Sequence, residues 1–540
     1  MSALRNDAVR HSLRLGLGLA PTLVQRSLRA RIGSFVHDQR LLRAELRIQT
    51  DTPILPWGPL VEQRVEAWAA RHPGTVFAYT SGTTSRPKKI AFNRERLSRI
   101  KRGSWEAAVQ AGAVHGVVEP TLFVLAALKR DASLTTLMLD EGARTPFVEG
   151  LIMPSKYLWE AAIAPLLERY GPRACRLWLL LLSNPGFIYS TNPSTLAVFC
   201  EGLNAEWEES VALVRAVVSG ANLPPIAAYV AGRVVSRGSE ERLRRAADAP
   251  SLPPLEDLFP GLVCYACWDG GYVAPFLERI RVFLPPERFA HVPMYSMATE
   301  TVQTQLYYEG RTPHFLPLAP GVLYEFLPEG EDDDPRALLP ASALRPGQTY
   351  GLVVSDRFGL RRYQTNDLFL CATRVRGLPD LRFLRRRGLA YSFTGEKLTG
   401  EQVSASFAAL RVEVPRLSET GAQLTLIPSW LERPHYRLAL AFPGRWDEGL
   451  DPLDLAARLD RLLRAENEEY ETKRSSERLG AVRAIPLAYD RLAEALGGGR
   501  GGGANEARAW ETQFKLVPLY TRTWEAIGLS EGAHVGGHDQ

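Results

Sequence analysis

Tyr79-Thr80-Ser81-Gly82-Thr83-Thr84-Ser85-Arg86-Pro87-Lys88-Lys89-Ile90 carries the most specific local signal in the chain. It joins two short apolar stretches, Val76–Tyr79 and Lys89–Phe92, whose composition predicts β-strands. Between them lies a loop of hydroxyls around one glycine, closed by two lysines. Backbone N–H groups and several hydroxyls can converge there on phosphate oxygens, and Gly82 permits close approach. Lys88 or Lys89 adds a point charge. The spacing G-x-x-x-x-G-K-[ST] is absent, so this is not a Walker A loop. Taken alone, the stretch also fits an ordinary Ser/Thr hairpin loop.

Upstream, residues 1–75 show Leu and Arg at helical spacing, interrupted by a loop over Pro53–Pro59, with a further helix over Leu60–Arg71. Downstream to about residue 300, strand-length apolar runs alternate with helical patterns. The strand candidates are Thr121–Ala126, Gly186–Tyr189, Leu262–Cys267 and Val292–Tyr295; Glu206–Val218 and Ala274–Val282 are helix candidates. Such alternation predicts α/β layers. Over residues 321–375 the texture changes. Val322–Phe326, Gly351–Ser355 and Leu368–Thr373 predict strands separated by Gly, Asp and Pro turns, hence a β subdomain or barrel. A basic stretch at Arg385–Gly395 precedes a smaller α+β pattern: helix Glu401–Leu410, strands Leu424–Ile427 and Tyr436–Ala441, helix Leu453–Glu469, strand Val482–Pro486. Gly497–Gly503 predicts a flexible surface loop inside it.

Composition excludes several classes of function. With 45% hydrophobic and 23% charged residues, the 540-residue chain is globular rather than disordered. A net charge of +5 is too weak to argue for nucleic acid, and none is expected as a partner. Five cysteines cannot staple a chain of this size. No run of 18 apolar residues occurs; Leu177–Leu182 is far too short to span a membrane. The N-terminal Leu13–Leu19 stretch is interrupted by Arg14 and predicts an amphipathic helix rather than a signal peptide. A cytoplasmic protein without membrane association, favoured as a monomer, is expected. Of 65 basic residues only eight are lysine: Lys88, Lys89, Lys101, Lys129, Lys156, Lys397, Lys473 and Lys515. In so Arg-biased a chain, a lysine marks places where a compact ammonium serves and a planar guanidinium does not.

Further motifs follow the hydroxyl loop in order. They are Leu258-Phe259-Pro260 with Cys267-Trp268-Asp269-Gly270-Gly271, Tyr295-Ser296-Met297-Ala298-Thr299-Glu300, Tyr363-Gln364-Thr365-Asn366-Asp367, Gly395-Glu396-Lys397-Leu398 and Gln513-Phe514-Lys515-Leu516-Val517-Pro518. The hydroxyl loop resembles the phosphate loop of adenylate-forming enzymes, the superfamily of acyl-CoA synthetases and luciferases. The full set, from about residue 75 to 520, resembles the auxin-responsive-promoter (Gretchen Hagen) family of acyl-acid amido synthetases, in a bacterial-type member. Four of the eight lysines, Lys88, Lys89, Lys397 and Lys515, fall in these motifs.

The resemblance implies an α/β adenylate-forming fold. A large N-terminal α/β domain with a β subdomain would span residues 1–392, and a small mobile C-terminal α+β lid residues 393–540. It implies ATP and Mg²⁺ as cofactors. Ser81, Gly82, Thr83, Thr84 and Lys88 would line the phosphates, and Thr299 the α-phosphate. Tyr295 would stack on adenine, as aromatic faces do. Glu300 would hold Mg²⁺ or orient the reacting groups, and Asp367 would accept both ribose hydroxyls through its two oxygens. Lys397 and Lys515 would act from the lid. The sequence departs from the family pattern in places. Ala298 removes a hydroxyl beside Thr299, and Leu519 follows Pro518 where arginine is usual. Asn366 stands where glycine is usual; asparagine tolerates a left-handed backbone better than most residues.

Other signals read as structural. Cys264-Tyr265-Ala266-Cys267 has no second pair at metal spacing and fits a buried strand. Asp332–Asp334 lacks calcium-loop spacing. Trp159, Trp178 and Trp207 fit a core, and Arg385–Arg387 fits a solvated face or a nucleotide contact near the hinge. The expected activity is adenylation of a carboxylic acid followed by transfer of the acyl group to an amine, giving an amide. The partners would be a small acid and an amino acid or related small amine. The alternatives are transfer to a thiol, on coenzyme A or a carrier protein, and a nucleotide-binding regulator without chemistry.

Overall fold

In a computed structural model of the chain, described residues are 2–79, 88–126, 128, 134–139, 145–221, 223–270, 274–294, 298–331, 333–387, 390–391, 393, 396, 398–431, 433–442, 446–447, 449–475, 479–498 and 516–529. They form two compact units, the first ending at Leu384 and the second beginning at Arg385.

The first unit is built on a four-stranded parallel sheet, β3 (Leu122–Val124), β4 (Phe187–Tyr189), β5 (Cys264–Trp268) and β6 (Ala290–Met294), in that spatial order. It is preceded by the antiparallel pair β1 (Val76–Tyr79) and β2 (Lys89–Phe92) that flanks the hydroxyl loop. The four parallel strands are apolar on both faces because both are covered. Phe123, Ile188, Tyr265 and Cys267 face one core with Leu177–Leu182 of the helix Ala164–Ser183, and with Trp159, Trp178 and Trp207. Phe187, Cys264, Ala266 and Val292 face the other. That second face is closed by Ala107 and Ala111 of the helix Arg94–His115. The hairpin β7 (Gln305–Glu309) and β8 (Thr312–Leu316) completes it through Leu306, Tyr308 and Phe315. Both cysteines of the C-x-x-C are therefore core residues, and all five cysteines are free and buried.

An antiparallel sheet follows, in the order β10 (Leu339–Pro340), β9 (Val322–Pro328), β11 (Thr349–Asp356), β12 (Tyr363–Val375), β13 (Leu378–Arg386). It is an open five-stranded sheet rather than a closed barrel. Its core includes Leu28, Ile32 and Phe35 from the long helix Ser2–Glu45, at the spacing of a buried helical face, and Val61, Val65 and Trp68 from the helix Pro59–Ala70. The start of the long helix is anchored elsewhere. Arg10, 1% exposed, donates from Nη2 to Val234 O at 2.6 Å, and Asn6 donates to Gly232 O at 3.2 Å. These groups satisfy carbonyls that the helix Pro225–Val234 leaves open at its end, where a cation is favoured. No helix among the described residues is long and apolar enough to cross a membrane.

The second unit begins with a short ladder of β14 (Ala390–Tyr391) and β15 (Leu398–Thr399). Thr399 then caps the helix Gly400–Glu413 in a reciprocal capping box with Gln402. Its sheet holds β16 (Gln423–Ser429), β17 (His435–Phe442) and β18 (Arg483–Ala488). β17 pairs antiparallel with β16 and parallel with β18. One face packs on the helices Gly400–Glu413 and Pro452–Glu466 through Phe407, Leu410, Leu459 and Leu463. The other is covered by Leu492, Tyr520 and Trp524. This is the expected α+β pattern. The long helix expected over Leu453–Glu469 is two helices, because Asn467 Oδ1 accepts from Tyr470 N at 2.8 Å and starts a new one. The glycine run 499–503 lies outside the described residues.

Candidate active site

Open sheets of parallel strands present ligands at their carboxyl ends. At that end of β6 the chain turns through Ala298–Thr301. Ala298 N donates to Thr301 O at 3.0 Å and Thr301 N donates to Ala298 O at 3.3 Å, so Thr299 and Glu300 sit at the tip of a tight turn. Thr299 is half-buried. Glu300 is only 4% exposed, and a carboxylate so buried requires partners. It has them. Lys88 Nζ donates to Glu300 Oε1 at 2.5 Å and to Tyr363 Oη at 2.8 Å, while Tyr363 Oη donates to the same Oε1 at 3.1 Å. Three motifs far apart in sequence thus close one triangle of polar atoms.

The two lysines at the end of the hydroxyl loop diverge. Lys89 reaches Glu66 Oε1 at 2.7 Å and lies over the Phe77 ring, so Lys88 is the one beside Glu300. Tyr363 is held in turn by the segment before the helix Pro59–Ala70. Leu55 N donates to Arg362 O at 2.9 Å, Gln364 N donates to Leu55 O at 2.9 Å, and the Trp57 ring meets the Tyr363 ring edge-on at 5.9 Å. The Pro53–Pro59 loop is therefore an extra extended segment beside the site, which its prolines conceal in the sequence.

Beneath the turn, the buried Arg96 guanidinium donates to Ala91 O at 2.8 Å, to the backbone carbonyl of Glu300, and to Asp356 Oδ2 at 3.2 Å. Burial pushes the Arg96 pKa down and the Asp356 carboxyl up, each opposed by the other's charge. Asp356 Oδ1 also accepts from Phe358 N at 2.8 Å and Leu360 N at 3.0 Å. Nothing in the sequence pattern marks Arg96, one arginine among many on its helix, as a support for Glu300.

Asp367 is positioned by a bulge. Gly351 pairs with Leu368 and Val353 with Gln364, so Leu352 alone faces Thr365, Asn366 and Asp367. Asn366 takes φ 62°, the left-handed conformation that its residue type tolerates. Thr365 Oγ1 repairs the ladder, donating to Leu352 O at 2.9 Å and accepting from Asp367 N at 3.1 Å. Asp367 Oδ2 accepts from Gln303 Nε2, a partner that sequence motifs do not indicate. Asn366→Gly should fold as well as the parent, whereas Asn366→Ala should lose about 1–2 kcal/mol, the cost of a left-handed backbone with a Cβ. Thermal unfolding of the two variants checks this; equal stability would mean that φ at 366 is not constrained.

Lys88, Thr299, Glu300 and Asp367 all belong to the first unit. Ser81, Gly82, Thr83, Thr84, Tyr295, Lys397 and Lys515 lie outside the described residues. The neighbour of Lys397 is described. Glu396, 1% exposed, accepts from Phe393 N at 2.6 Å and Tyr436 Oη at 2.8 Å, and its backbone carbonyl accepts from Asn467 Nδ2 at 3.0 Å. Burial and the Glu396 charge hold the Tyr436 phenol well above its ordinary pKa. Among the described residues no group of three or more His, Cys, Asp or Glu could hold a metal ion alone. A single buried carboxylate instead suits Mg²⁺ delivered on phosphates, since Mg²⁺ commonly takes one or two carboxylates plus substrate phosphate oxygens and water.

A parallel sheet with an acidic turn at its carboxyl end, an antiparallel sheet bearing a buried aspartate, and a separate small α+β unit make an α/β chain with the layers expected of an adenylate-forming enzyme. Comparison with known proteins narrows the class. Residues 69–289 match the GH3 family N-terminal domain and residues 315–386 the GH3 family central domain. The AtGH3.15 acyl acid amido synthetase, solved in complex with 2,4-DB, superposes with a TM-score of 0.65 at 13% identity, covering 97% of this chain and 94% of that one. A second structure of GH3.15 acyl acid amido synthetase gives a TM-score of 0.62 at 14% identity over 86% of this chain and 85% of that one. GH3.10 of Oryza sativa subsp. japonica, named for an inferred indole-3-acetic acid-amido synthetase activity, is 36% identical over 75 residues. That stretch is 14% of this chain and 16% of the rice protein. The chain belongs to the GH3 family.

Proposed function

We propose that this protein is an ATP-dependent acyl acid amido synthetase. It adenylates a small carboxylic acid, releasing pyrophosphate, and passes the acyl group to an amine, an amino acid or related small amine, to give an amide. The observation that carries the reading is the convergence of Lys88, Glu300 and Tyr363 in one buried cluster at the carboxyl end of the parallel sheet.

The chemistry asks for such a cluster. An acid oxygen attacks the α-phosphorus, and the charge that grows on the phosphoryl oxygens needs cationic neighbours. Ser81, Gly82, Thr83 and Thr84 bind the phosphates through backbone N–H groups and hydroxyls, with Lys88 as their point charge. Thr299 touches the α-phosphate, Tyr295 stacks on adenine, and Glu300 is the residue that would hold Mg²⁺. When bound, that ion supplies positive charge to the phosphate oxygens. Asp367 holds the ribose hydroxyls. The second unit is the lid that carries Lys397 and Lys515, with its functional start near residue 393. The five free buried cysteines agree with work in the reducing cytoplasm.

The test is the nucleotide product. Incubation with ATP, Mg²⁺ and a panel of acids, with and without amines, should yield AMP and pyrophosphate, and amides when amines are present. ADP and inorganic phosphate would instead indicate an acyl-phosphate ligase. Coenzyme A thioesters in place of amides would assign the acceptor to a thiol. A further expected result concerns the nucleotide itself. Asp367→Ala should weaken ATP binding by about 1.5–3 kcal/mol, the range for hydrogen bonds to a charged group. Calorimetry decides; unchanged affinity in a folded variant would displace the ribose from the Asp367 bulge.

A further inference from the structure

The triangle of Lys88, Glu300 and Tyr363 has a consequence for the order of binding, which rests on the reading of Glu300 as the metal-binding carboxylate. A glutamate 4% exposed cannot remain an unpaired anion, so something must neutralise it when no ligand is bound. Lys88 does this, with Nζ 2.5 Å from Oε1 and a side chain itself 16% exposed. Tyr363 Oη fixes both partners, accepting from the ammonium at 2.8 Å and donating to Oε1 at 3.1 Å. The ammonium holds Glu300 Oε1, so a divalent cation would have to share this carboxylate with a positive charge only 2.5 Å from one of its oxygens. Mg²⁺ binds carboxylate oxygens at about 2.0–2.1 Å and tolerates little distortion, so the two cations compete for Glu300.

We infer that Lys88 is a built-in counter-ion that blocks Glu300 against bare metal and yields it only when phosphate draws the ammonium away. A lysine suits such an exchange. Its point charge sits on a flexible four-carbon stem and pairs as well with a phosphate oxygen as with a carboxylate. Lys88 directly follows in sequence the hydroxyl loop proposed to bind the phosphates. The nucleotide and its metal then arrive together, the phosphates taking Lys88 while the cation takes Glu300. Free Mg²⁺ alone meets an occupied carboxylate. Tyr363 keeps Oε1 oriented throughout, which explains why its hydroxyl is shared by both partners rather than committed to one.

The test uses the full-length protein without nucleotide and Mn²⁺ as the probe, because Mn²⁺ accepts the same oxygen ligands and is read directly by electron paramagnetic resonance. At about pH 8, above the carboxylate range, wild-type protein should bind Mn²⁺ weakly. Lys88→Met should bind it at least about tenfold more tightly, within the roughly 5–150-fold range of ordinary coupling between sites. The same substitution should weaken binding of the metal–ATP complex, so the two affinities move in opposite directions. Lys88→Arg should show no gain for Mn²⁺, since the cation is retained. Glu300→Gln added to Lys88→Met should abolish the gain. Lys88→Gln, which keeps a polar group toward Tyr363, serves if the methionine variant does not fold. Equal Mn²⁺ affinity with and without Lys88, whether both proteins bind or neither does, overturns the inference. The nucleotide-product assay is independent of this result. AMP formation with no metal gain removes the counter-ion role alone; a metal gain without AMP formation removes the amido synthetase reading and leaves the exchange.

Discussion

Glu300→Gln should slow acyl-adenylate formation by about 10²–10³-fold, the loss seen when one preorganised electrostatic group is removed from an active site. Glutamine has nearly the same shape, and its carbonyl can still accept from Tyr363 Oη, so the turn Ala298–Thr301 should persist. What disappears is the charge. Lys88 loses the negative charge it faces at 2.5 Å, and the residue proposed to take the metal becomes a neutral and much poorer ligand. The loss should fall on the first half-reaction. Acid-dependent exchange between ATP and labelled pyrophosphate measures that step, and amide formation from a synthetic acyl-adenylate measures the second. The exchange should collapse while transfer from the ready-made adenylate changes little. Equal damage to both steps would make Glu300 a structural residue of the turn, and exchange near the wild-type rate would take it out of the site altogether.

Much of the fold is legible in the sequence where local pattern and tertiary demand agree. Val76–Tyr79 and Lys89–Phe92 read as strands because apolar runs are bounded sharply by the hydroxyl loop, and they pair as β1 and β2 with those limits. The parallel strands are legible too, with ends shifted by one or two residues, since burial on both faces makes them continuous apolar runs. β12 is longer than its sequence suggests. It starts at Tyr363, not near Leu368, because the bulge at Asn366 breaks the alternation on which strand reading depends. The site is legible as a set of motifs but not as a geometry. Which of two adjacent lysines meets Glu300 depends on the backbone at the start of β2, and Gln303, Arg96 and Trp57 reach the site from positions with no periodic or compositional mark. The departure at Asn366 is the instructive case. Its residue type alone indicates a left-handed backbone, and the bulge supplies the reason one is needed.

Arg96→Met should strongly destabilise the first unit, costing about 3–5 kcal/mol, the range for removing one partner from a buried ion pair. Methionine fills much of the volume, so the loss is electrostatic. Asp356, 4% exposed, is left as a buried carboxylate supported by the two N–H groups of Phe358 and Leu360 and by the more distant charge of Arg99. Two carbonyls, of Ala91 and Glu300, lose their donor at the same time. The damage should therefore be functional as well, because Arg96 ties β2, which directly follows Lys88, to the turn that presents Glu300. A second substitution separates the causes. Asp356→Asn keeps an acceptor for Phe358 and Leu360 but carries no charge. Added to Arg96→Met, it should restore part of the stability, since no uncompensated charge remains, yet leave pyrophosphate exchange impaired, since the carbonyl of Glu300 still lacks the Arg96 guanidinium. Thermal unfolding and the exchange assay on the two single variants and the double variant form the cycle. If the double variant is no more stable than Arg96→Met, the Arg96–Asp356 charge pair is not what the first unit depends on. If exchange recovers together with stability, Arg96 supports the fold and has no separate part in positioning Glu300.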